Sequence, residues 1–405
     1  MDIHINFKKK ITEPKSSSFL QNLWKTNKSD IKVWALISSA YLVLIVFYWA
    51  PFSWNSMPYH DKWNLGFQST SGFRLHYLIT VIYDFIKARS HAQDIYSLGH
   101  LISKNSFLGL NIILAATFYF KSLFTYALTK KIFRENILIA FLAGVFVSIW
   151  PTDELWFELD FTSYHLGSLF LVIALYLFIR YFQNNKLYLF ILATYFLIWS
   201  LSIIEHAIFT ALLAPILLYL LDMKITKRLV VFSVIWSIPS MIKLFSFGLA
   251  LLSKSPTRNY ELNMLDSANP VSISVVWKTI KFCYKQSFYS WIGRLNEYIT
   301  PDWNRFDNKE IITYAILSGV LVGVVIGIIH FTKFFDHLKD QNGMGSFGSD
   351  LKKYGVVFLY CLASIYIAYF LFVPTTYRFS TIRTFIYSSL WIGISASLLI
   401  WFISL

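Results

Sequence analysis

Ten apolar runs, most of them close to 20 residues long, dominate the sequence and limit its possible folds. They lie at about 33–52, 107–128, 135–150, 164–182, 187–204, 206–221, 229–252, 310–332, 354–374 and 384–404. A helix needs about 20 apolar residues to cross the hydrocarbon core of a bilayer. Lipid offers no hydrogen-bond partner to an open backbone, so each run must be helical. The sequence therefore predicts an all-α polytopic membrane protein with about ten transmembrane helices.

The composition agrees with lipid as the surrounding solvent. Apolar residues make up 56% of the chain and charged residues only 14%, whereas soluble domains average about 45–50% and about 25%. Aromatic residues make up 19%, and many lie near the ends of the apolar runs, as an aromatic belt requires. The net charge of +14 fits a bias towards basic cytoplasmic links and attraction to anionic lipid. Membrane lipids are therefore expected partners, and nucleic acid is not.

The basic residues predict the orientation of the chain. Residues 1–32 contain seven lysines, and every second link after them is also basic. Those links carry Lys130, Lys131, Arg134, Arg180, Lys186, Lys224, Lys227, Arg228, Lys333, Lys339, Lys352 and Lys353. The link WPTDELWFELD between the third and fourth runs has four acidic residues and no basic one. The positive-inside rule then predicts cytoplasmic termini. Few glycines and prolines beside abundant lysine, isoleucine, phenylalanine and asparagine indicate an AT-rich bacterial genome, and the expected location is the bacterial cytoplasmic membrane.

Two long outer links each contain an amphipathic segment. We predict a cytoplasmic N-terminal segment at 1–32 and one transmembrane domain at 33–405, with external loops at about 53–106 and 253–309. The first stripe contains Leu75, Leu78, Ile79, Ile82, Phe85 and Ile86, and the second contains Trp277, Ile280, Tyr284, Phe288, Trp291, Ile292 and Leu295. Such segments in the first and fourth external loops are predicted to be helices that lie in the membrane interface.

Ionisable side chains near hydrocarbon are costly, so their positions are informative. The candidates on the predicted outer side come from separate links and are Asp61, Asp153, Glu154, His165, Glu205, His206, Arg378 and Arg383. Lys243, one turn after Pro239 in the seventh apolar run, is a further candidate. A carboxylate beside a hydroxyl can act as a general base, and arginine forks match phosphate oxygens. The set therefore suits a lipid-phosphate donor and a hydroxyl acceptor.

Several of these residues have a second interpretation. Glu205 and His206 interrupt a long apolar stretch, and form either a functional pair or a buried pair that holds two helices together. Arg378 and Arg383 either bind phosphate or extend to lipid headgroups. Lys121, inside the second apolar run, is interpreted as extending to the membrane interface.

The arrangement resembles the GT-C fold of membrane glycosyltransferases, in which a first span precedes a long external loop with helices along the membrane. Asp61 matches the acidic position of that loop, Asp153 and Glu154 match the acidic motif of the next one, and the 75–86 stripe matches the first-loop helix. The stretches WPTDELWFELDFTSYHLGSLF, SIIEHAIFTALLAP and TTYRFSTIRTFIYSSL also resemble segments of uncharacterised bacterial membrane proteins grouped with this fold. The likeness covers most of the chain as architecture, and its motifs are short.

The resemblance implies an inverting glycosyltransferase with a polyprenyl-phosphate sugar donor and a glycan or glycolipid acceptor on the outer face. Asp61 would deprotonate the acceptor hydroxyl. Arg378 and Arg383, with Lys243, would hold the departing phosphate, whose charge grows in the transition state. The other outer candidates would position the sugar or the acceptor.

Two other functions remain open from the sequence. A transporter or flippase of a lipid-linked saccharide or small solute would use Glu205, His206 and Lys243 inside the membrane, although transport folds often show internal repeats and no repeat is visible. A surface-glycan polymerase or ligase would share the donor chemistry and the outer arginines. No cofactor is predicted. The sequence has no P-loop or His/Cys metal cluster, and Lys62 follows Asp61 where a metal-dependent site would favour a second acid.

Overall fold

The computed structural model of the chain describes a helical protein. The described residues are 31–46, 80–82, 92–103, 106–133, 136–149, 162–203, 206–222, 225–252, 270–289, 347–370, 373–375, 378–379 and 385–403, with seven helical positions between 312 and 327. No strand occurs among these residues. Within the described ranges, five helices are long and apolar enough to cross a membrane, and four shorter apolar helices accompany them. The chain is therefore an all-α polytopic membrane protein, as predicted.

The helices follow the apolar runs. They are α1 (Ile31–Val46), α2 (Ala92–Ile102), α3 (Leu108–Ile132), α4 (Ile137–Ile149), α5 (Thr162–Asn184), α6 (Leu187–Ile203), α7 (Ala207–Asp222), α8 (Lys227–Leu252), α9 (Ile273–Tyr284), α10 (Phe347–Tyr369) and α11 (Phe385–Ile403). Nine predicted spans each correspond to one of these helices, and the span at 310–332 falls on the seven helical positions between 312 and 327. The total of ten spans and the domain limits stay predictions.

Short links with polar caps join successive helices at one end of the bundle. Asn136 Oδ1 accepts a hydrogen bond from the backbone N–H of Ile139 at 3.1 Å, and Thr226 Oγ1 accepts one from Leu229 at 3.1 Å. These side chains satisfy donors that the first turns of α4 and α8 leave open. Asn185, between α5 and α6, has φ 58°, a left-handed conformation that asparagine tolerates better than most residues. Each link therefore makes its two helices antiparallel neighbours.

The basic end of the bundle is the end that carries Lys130, Lys131, Lys186, Lys227 and Arg228. There Arg228 Nη2 donates to the carbonyl oxygen of Tyr181 at 3.0 Å, and the guanidinium lies 4.6 Å from the Tyr181 ring centroid. This contact joins the start of α8 to the last turn of α5, where the negative end of the helix dipole favours a cation. The opposite end, where α5, α7 and α11 begin, is called the histidine end because it carries His165 and His206.

The larger core takes buried residues from every helix from α3 to α11, most of them from α5, α6, α7, α10 and α11. Trp236 of α8 is fully buried and stacks on Phe178 of α5, with ring centroids 4.1 Å apart. Its Nε1 donates to the carbonyl oxygen of Ala211 in α7 at 2.8 Å. Pro215, four residues after Ala211, lacks the N–H that would normally bond to this carbonyl. The indole therefore supplies the donor that the proline removes.

The two predicted amphipathic segments differ in how much of them is described. In the first, the structure describes only residues 80–82, where Val81 is buried and Ile82 is exposed. In the second, α9 continues into a π-helical turn at Lys285–Tyr289. The remaining stripe residues, including 290–295, lie outside the described residues.

The Trp277 side chain of α9 is exposed, and α9 packs on the protein through its opposite face. Thr279, Cys283 and Ser287 are fully buried on the packed face. Beside them the Tyr284 hydroxyl donates to the carbonyl oxygen of Leu362 in α10 at 2.7 Å. The prediction that this helix lies in the membrane interface was therefore incomplete, because it left out the packing of α9 on α10. Small side chains allow close helix approach, and α9 uses them to attach to α10.

Burial of this face predicts that the Cys283 thiol reacts slowly. Burial raises the pKa of Cys283 from 9.0 to about 12, and a hydrogen bond with Ser287 acts in the lowering direction. The thiolate is the reactive form, so alkylation by a maleimide at neutral pH should be at least about tenfold slower in folded than in denatured protein. Cys361 is also buried, and the measurement therefore uses a Cys361→Ala background. Equal labelling rates before and after denaturation would contradict the packing of α9.

Candidate functional site

A buried lysine in the middle of α3 contacts the first turns of α11. Lys121 is 0% exposed, and its Nζ donates to the carbonyl oxygen of Ile386 at 3.3 Å and to Ser389 Oγ at 2.8 Å. At 1.5 Å per residue, Lys121 is about 20 Å from the start of α3 and about 16 Å from its end. A lysine side chain spans less than either distance. The interpretation that Lys121 extends to the membrane interface was therefore wrong.

The carbonyl oxygen of Ile386, in the first turn of α11, collects donors from three helices. Besides Lys121 of α3, it accepts a hydrogen bond from Ser168 Oγ of α5 at 3.1 Å and one from Ser389 Oγ of α11 itself at 2.7 Å. Bonds from an ammonium are about twice as strong as neutral ones. The start of α11 is thereby fixed against both α3 and α5.

His165, predicted at the outer mouth of its span, lies in the first turn of α5. It is fully buried, and its ring centroid lies 4.6 Å from that of Phe118, one turn before Lys121 on α3. The prediction of its place at the start of a helix agrees with the structure. The side chain is, however, enclosed by protein and not on an open outer surface.

His206 immediately precedes α7 and is also buried, with 5% of its surface exposed. Its ring stacks on that of Tyr387 in α11, with centroids 5.6 Å apart and an interplanar angle of 26°. The Tyr387 hydroxyl packs against Gly167 of α5, at the place a Cβ would occupy. Because Gly167 is two residues from His165, Tyr387 connects the surroundings of the two histidines.

Lys243 lies on the inward face of α8 and is 2% exposed. It follows Trp236 by seven residues, which is two turns along the same face. Helices α7 and α8 are antiparallel and meet at the Trp236–Ala211 hydrogen bond. Two turns towards the histidine end therefore bring Lys243 level with the start of α7. Its flanking residues Ile242 and Met241 are exposed on the outside of the bundle.

Arg378, between α10 and α11, is also enclosed, with 2% of its surface exposed. Its Nε donates to the carbonyl oxygen of Thr375 at 3.0 Å, and its own carbonyl oxygen accepts a hydrogen bond from the Tyr369 hydroxyl. Phe370, next to Tyr369, lies 5.5 Å from Phe209 of α7 between ring centroids. The burial of Arg378 does not fit a side chain that extends to lipid headgroups.

The structure thus brings His165, His206 and Lys243 towards one end of the bundle, and Arg378 is buried in the segment between α10 and α11. Asp61, Asp153, Glu154, Glu205 and Arg383 lie outside the described residues, and their roles stay predictions. Lys121 is the residue that sequence reasoning missed as a site candidate. The signal available in the sequence was the distance of Lys121 from both ends of the second apolar run, which indicates a lysine inside the membrane.

The described part of the histidine end favours an anion. Among the described helices, α3, α5, α7 and α11 have their N-termini on that side, and a helix N-terminus carries a positive partial charge from its unbonded N–H groups. Lys121, Lys243 and Arg378 add cationic side chains in a region of low dielectric constant, where their electrostatic effect is larger than in water. Among the described residues, no group of three or more His, Cys, Asp or Glu side chains could hold a metal ion.

Comparison with known proteins assigns the chain to no family. No protein-family model matches the chain, and no curated protein or solved structure is similar to it. The resemblance to the GT-C fold stays a prediction, and the side chains at the histidine end are the observations that bear on function.

Proposed function

We propose that the chain is an inverting glycosyltransferase of the bacterial cytoplasmic membrane. It has ten spans and cytoplasmic termini, and it moves a sugar from a polyprenyl-phosphate donor to a hydroxyl of a glycan or glycolipid on the outer face. One observation carries the proposal. Buried basic side chains from separate parts of the chain, namely His165, His206 and Lys243, lie towards the end opposite the basic end, and Lys121 contacts the first turn of α11.

Burial of these basic side chains matches the chemistry of a lipid-phosphate donor. Ionisable groups inside a membrane protein are costly, and where they occur they commonly mark a substrate path. A polyprenyl chain stays in the lipid while its phosphate lies near the ends of the helices, within reach of a site enclosed by the bundle. Cations held in place before the reaction stabilise the negative charge that develops on the departing phosphate.

The proposed reaction is a single displacement at the anomeric carbon. The acceptor hydroxyl oxygen forms the new bond to that carbon while its proton passes to the Asp61 carboxylate. The bond from the anomeric carbon to the phosphate oxygen breaks, and polyprenyl phosphate leaves with the electron pair. Arg378, Arg383 and Lys243 hold that phosphate, and the configuration of the sugar inverts. Asp153, Glu154, His165, Glu205 and His206 position the sugar and the acceptor.

One observation favours a second function, a flippase of a lipid-linked saccharide. Lys121 lies about 20 Å from one end of α3 and about 16 Å from the other, close to the bilayer midplane if α3 crosses the membrane. Carriers bind their substrates near that depth. A carrier would need Lys121 to be reachable from both sides, whereas a transferase needs its reacting groups only at the outer side.

A reconstituted transfer assay tests the proposal. Vesicles containing the full chain, labelled polyprenyl-phosphate sugars and a mixed glycolipid acceptor pool are expected to form labelled glycolipid. Lys243→Met should lower the rate about tenfold or more, because it removes a cation from the phosphate site. The matched control is Lys227→Met on the same helix, which changes an exposed lysine at the basic end and should leave the rate unchanged.

The same vesicles separate the two functions. Absence of transfer with every donor, together with movement of labelled lipid between leaflets, would replace the transferase by the flippase. Equal rates for Lys243→Met and Lys227→Met would remove Lys243 from the phosphate site while keeping the class of reaction.

A further inference from the structure

We propose that the exposed face of α9 binds the headgroups of anionic phospholipids in the membrane leaflet at the histidine end. This surface is distinct from the proposed phosphate site, and its lipid binding can be measured without sugar transfer. Three observations support it, namely the level of α9 along the bundle, the arrangement of its exposed side chains, and its charge.

Helix α9 is held at the level where a membrane span ends. Its Tyr284 hydroxyl donates to the carbonyl oxygen of Leu362 at 2.7 Å. The neighbouring Cys283 thiol donates to that of Ile365 at 3.9 Å. Helix α10 is long and apolar enough to cross a membrane, and it ends at Tyr369 on the histidine end. The two carbonyls lie about 10 and 6 Å before that residue along the helix axis, so α9 lies near the lipid headgroups of that side.

One edge of the exposed face of α9 is apolar. Ile273 and Trp277, one turn apart, are 91% and 56% exposed. Tryptophan is favoured at the boundary between headgroups and hydrocarbon because its ring is amphipathic. An amphipathic helix at this level buries its apolar side chains among the upper parts of the acyl chains. This edge therefore gives α9 a contact with lipid tails.

The other edge of the exposed face is basic. Lys278, Lys281 and Lys285 follow one another at spacings of three and four residues, so they line one side of the helix, and all three are exposed. Residues 270–289 contain no Asp or Glu. The Lys281 Nζ lies 5.3 Å from the Trp277 ring centroid, a cation–π contact that joins the two edges. A molecule with a phosphate and acyl chains matches both edges at once.

The end of the bundle at which these lysines lie is informative. Basic residues concentrate on one side of a membrane protein, and the basic end of this bundle already carries Lys130, Lys131, Lys186 and Lys227. Helix α9 adds exposed lysines at the opposite end, against that bias. An anionic lipid surface there would attract each of them. Charge complementarity beside an apolar edge therefore identifies an anionic phospholipid as the occupant.

Quenching of a fluorophore on α9 tests the proposal in the full chain. Ser274→Cys places a thiol on the exposed face, and brief labelling with bimane spares the buried Cys283 and Cys361. Phosphatidylcholine vesicles then receive doxyl-labelled phosphatidylglycerol or doxyl-labelled phosphatidylcholine. Half-quenching by the phosphatidylglycerol should need a mole fraction at least about threefold lower, because lysines near a membrane surface attract anionic lipid.

Charge variants show whether the basic edge causes this difference. Lys278→Gln/Lys281→Gln should reduce it to less than about 1.5-fold. The matched control, Lys186→Gln/Lys227→Gln, removes two exposed lysines at the basic end and should keep the parent difference. Salt at about 1 M, which shortens the Debye length to about 3 Å, should also remove the difference in the parent, and this measurement does not depend on the folding of a charge variant.

The outcomes that would overturn the proposal are distinct. Equal quenching by the two lipids in the parent would overturn it, as would a preference that survives in Lys278→Gln/Lys281→Gln. Preferential quenching by a doxyl-labelled polyprenyl phosphate, with none by phosphatidylglycerol, would replace the phospholipid by the sugar donor as the occupant. Sugar transfer enters none of these measurements, so failure of the proposed function would leave the result for α9 unchanged.

Discussion

Sugar transfer by the reconstituted chain is expected to fall about a hundredfold or more when Asp61 is replaced by Asn. Asparagine keeps the size of the side chain but cannot accept the proton of the acceptor hydroxyl. A positioned general base contributes about 10² to 10⁴ in rate, so the loss should appear in the rate at saturating donor. Initial rates in vesicles, at equal amounts of inserted protein, measure the effect.

The control for Asp61 is a second outer carboxylate. Glu158 belongs to the acidic link WPTDELWFELD, and its sequence context favours a solvated position. Glu158→Gln should therefore transfer sugar at the parent rate, within about twofold. If Asp61→Asn retained full activity while other variants lost theirs, the reaction class would stand and the base would have to be another residue.

The second large effect is on the free energy of unfolding. A Cβ on Gly167 would overlap the hydroxyl of Tyr387 and touch Ile203. Overpacking of this kind costs about 1–3 kcal/mol, so Gly167→Ala should lower the midpoint of thermal unfolding by several degrees. Because Tyr387 stacks on His206, the same change should also disturb the histidine end and lower transfer activity beyond the loss of folded protein.

Gly355 provides the matched control for Gly167. It also lies within a helix, α10, but a Cβ there would meet no atom within 4 Å. Gly355→Ala should leave the midpoint unchanged or raise it slightly, since alanine restricts the unfolded chain more than glycine does. A midpoint for Gly167→Ala as high as that for Gly355→Ala would show that Tyr387 can move aside without cost.

The helices could be predicted from the sequence because hydropathy and basic links are local signals. The predicted spans 107–128 and 384–404 became α3 (Leu108–Ile132) and α11 (Phe385–Ile403). The predicted limits failed most at α10, which begins at Phe347 and not at 354. Lysines such as Lys352 and Lys353 continue a helix well, whereas hydropathy detects only the apolar part of a helix.

The candidate site was predictable only in part. His165 and His206 could be found because each interrupts or opens an apolar run. Lys121 was misinterpreted because its hydroxyl partner, Ser389, is 268 residues away, and no local pattern shows such a pairing. The packed face of α9 was missed for a related reason. Hydrophobic periodicity separates apolar from polar faces, but in a membrane protein it does not separate lipid from a neighbouring helix.

The hydrogen bond from Trp236 to Ala211 has a consequence for the descent of this chain. Pro215 removes the backbone donor for that carbonyl, and the indole on α8 replaces it. Without Trp236, Pro215 would leave the carbonyl oxygen of Ala211 unsatisfied, and an unsatisfied carbonyl inside hydrocarbon costs several kcal/mol. Without Pro215, that carbonyl has its ordinary backbone donor and does not need the indole. A lineage that regained an ordinary residue at 215 would be released from selection for tryptophan at 236. The two positions should therefore drift as a linked pair, with the indole gained before the proline and lost after it.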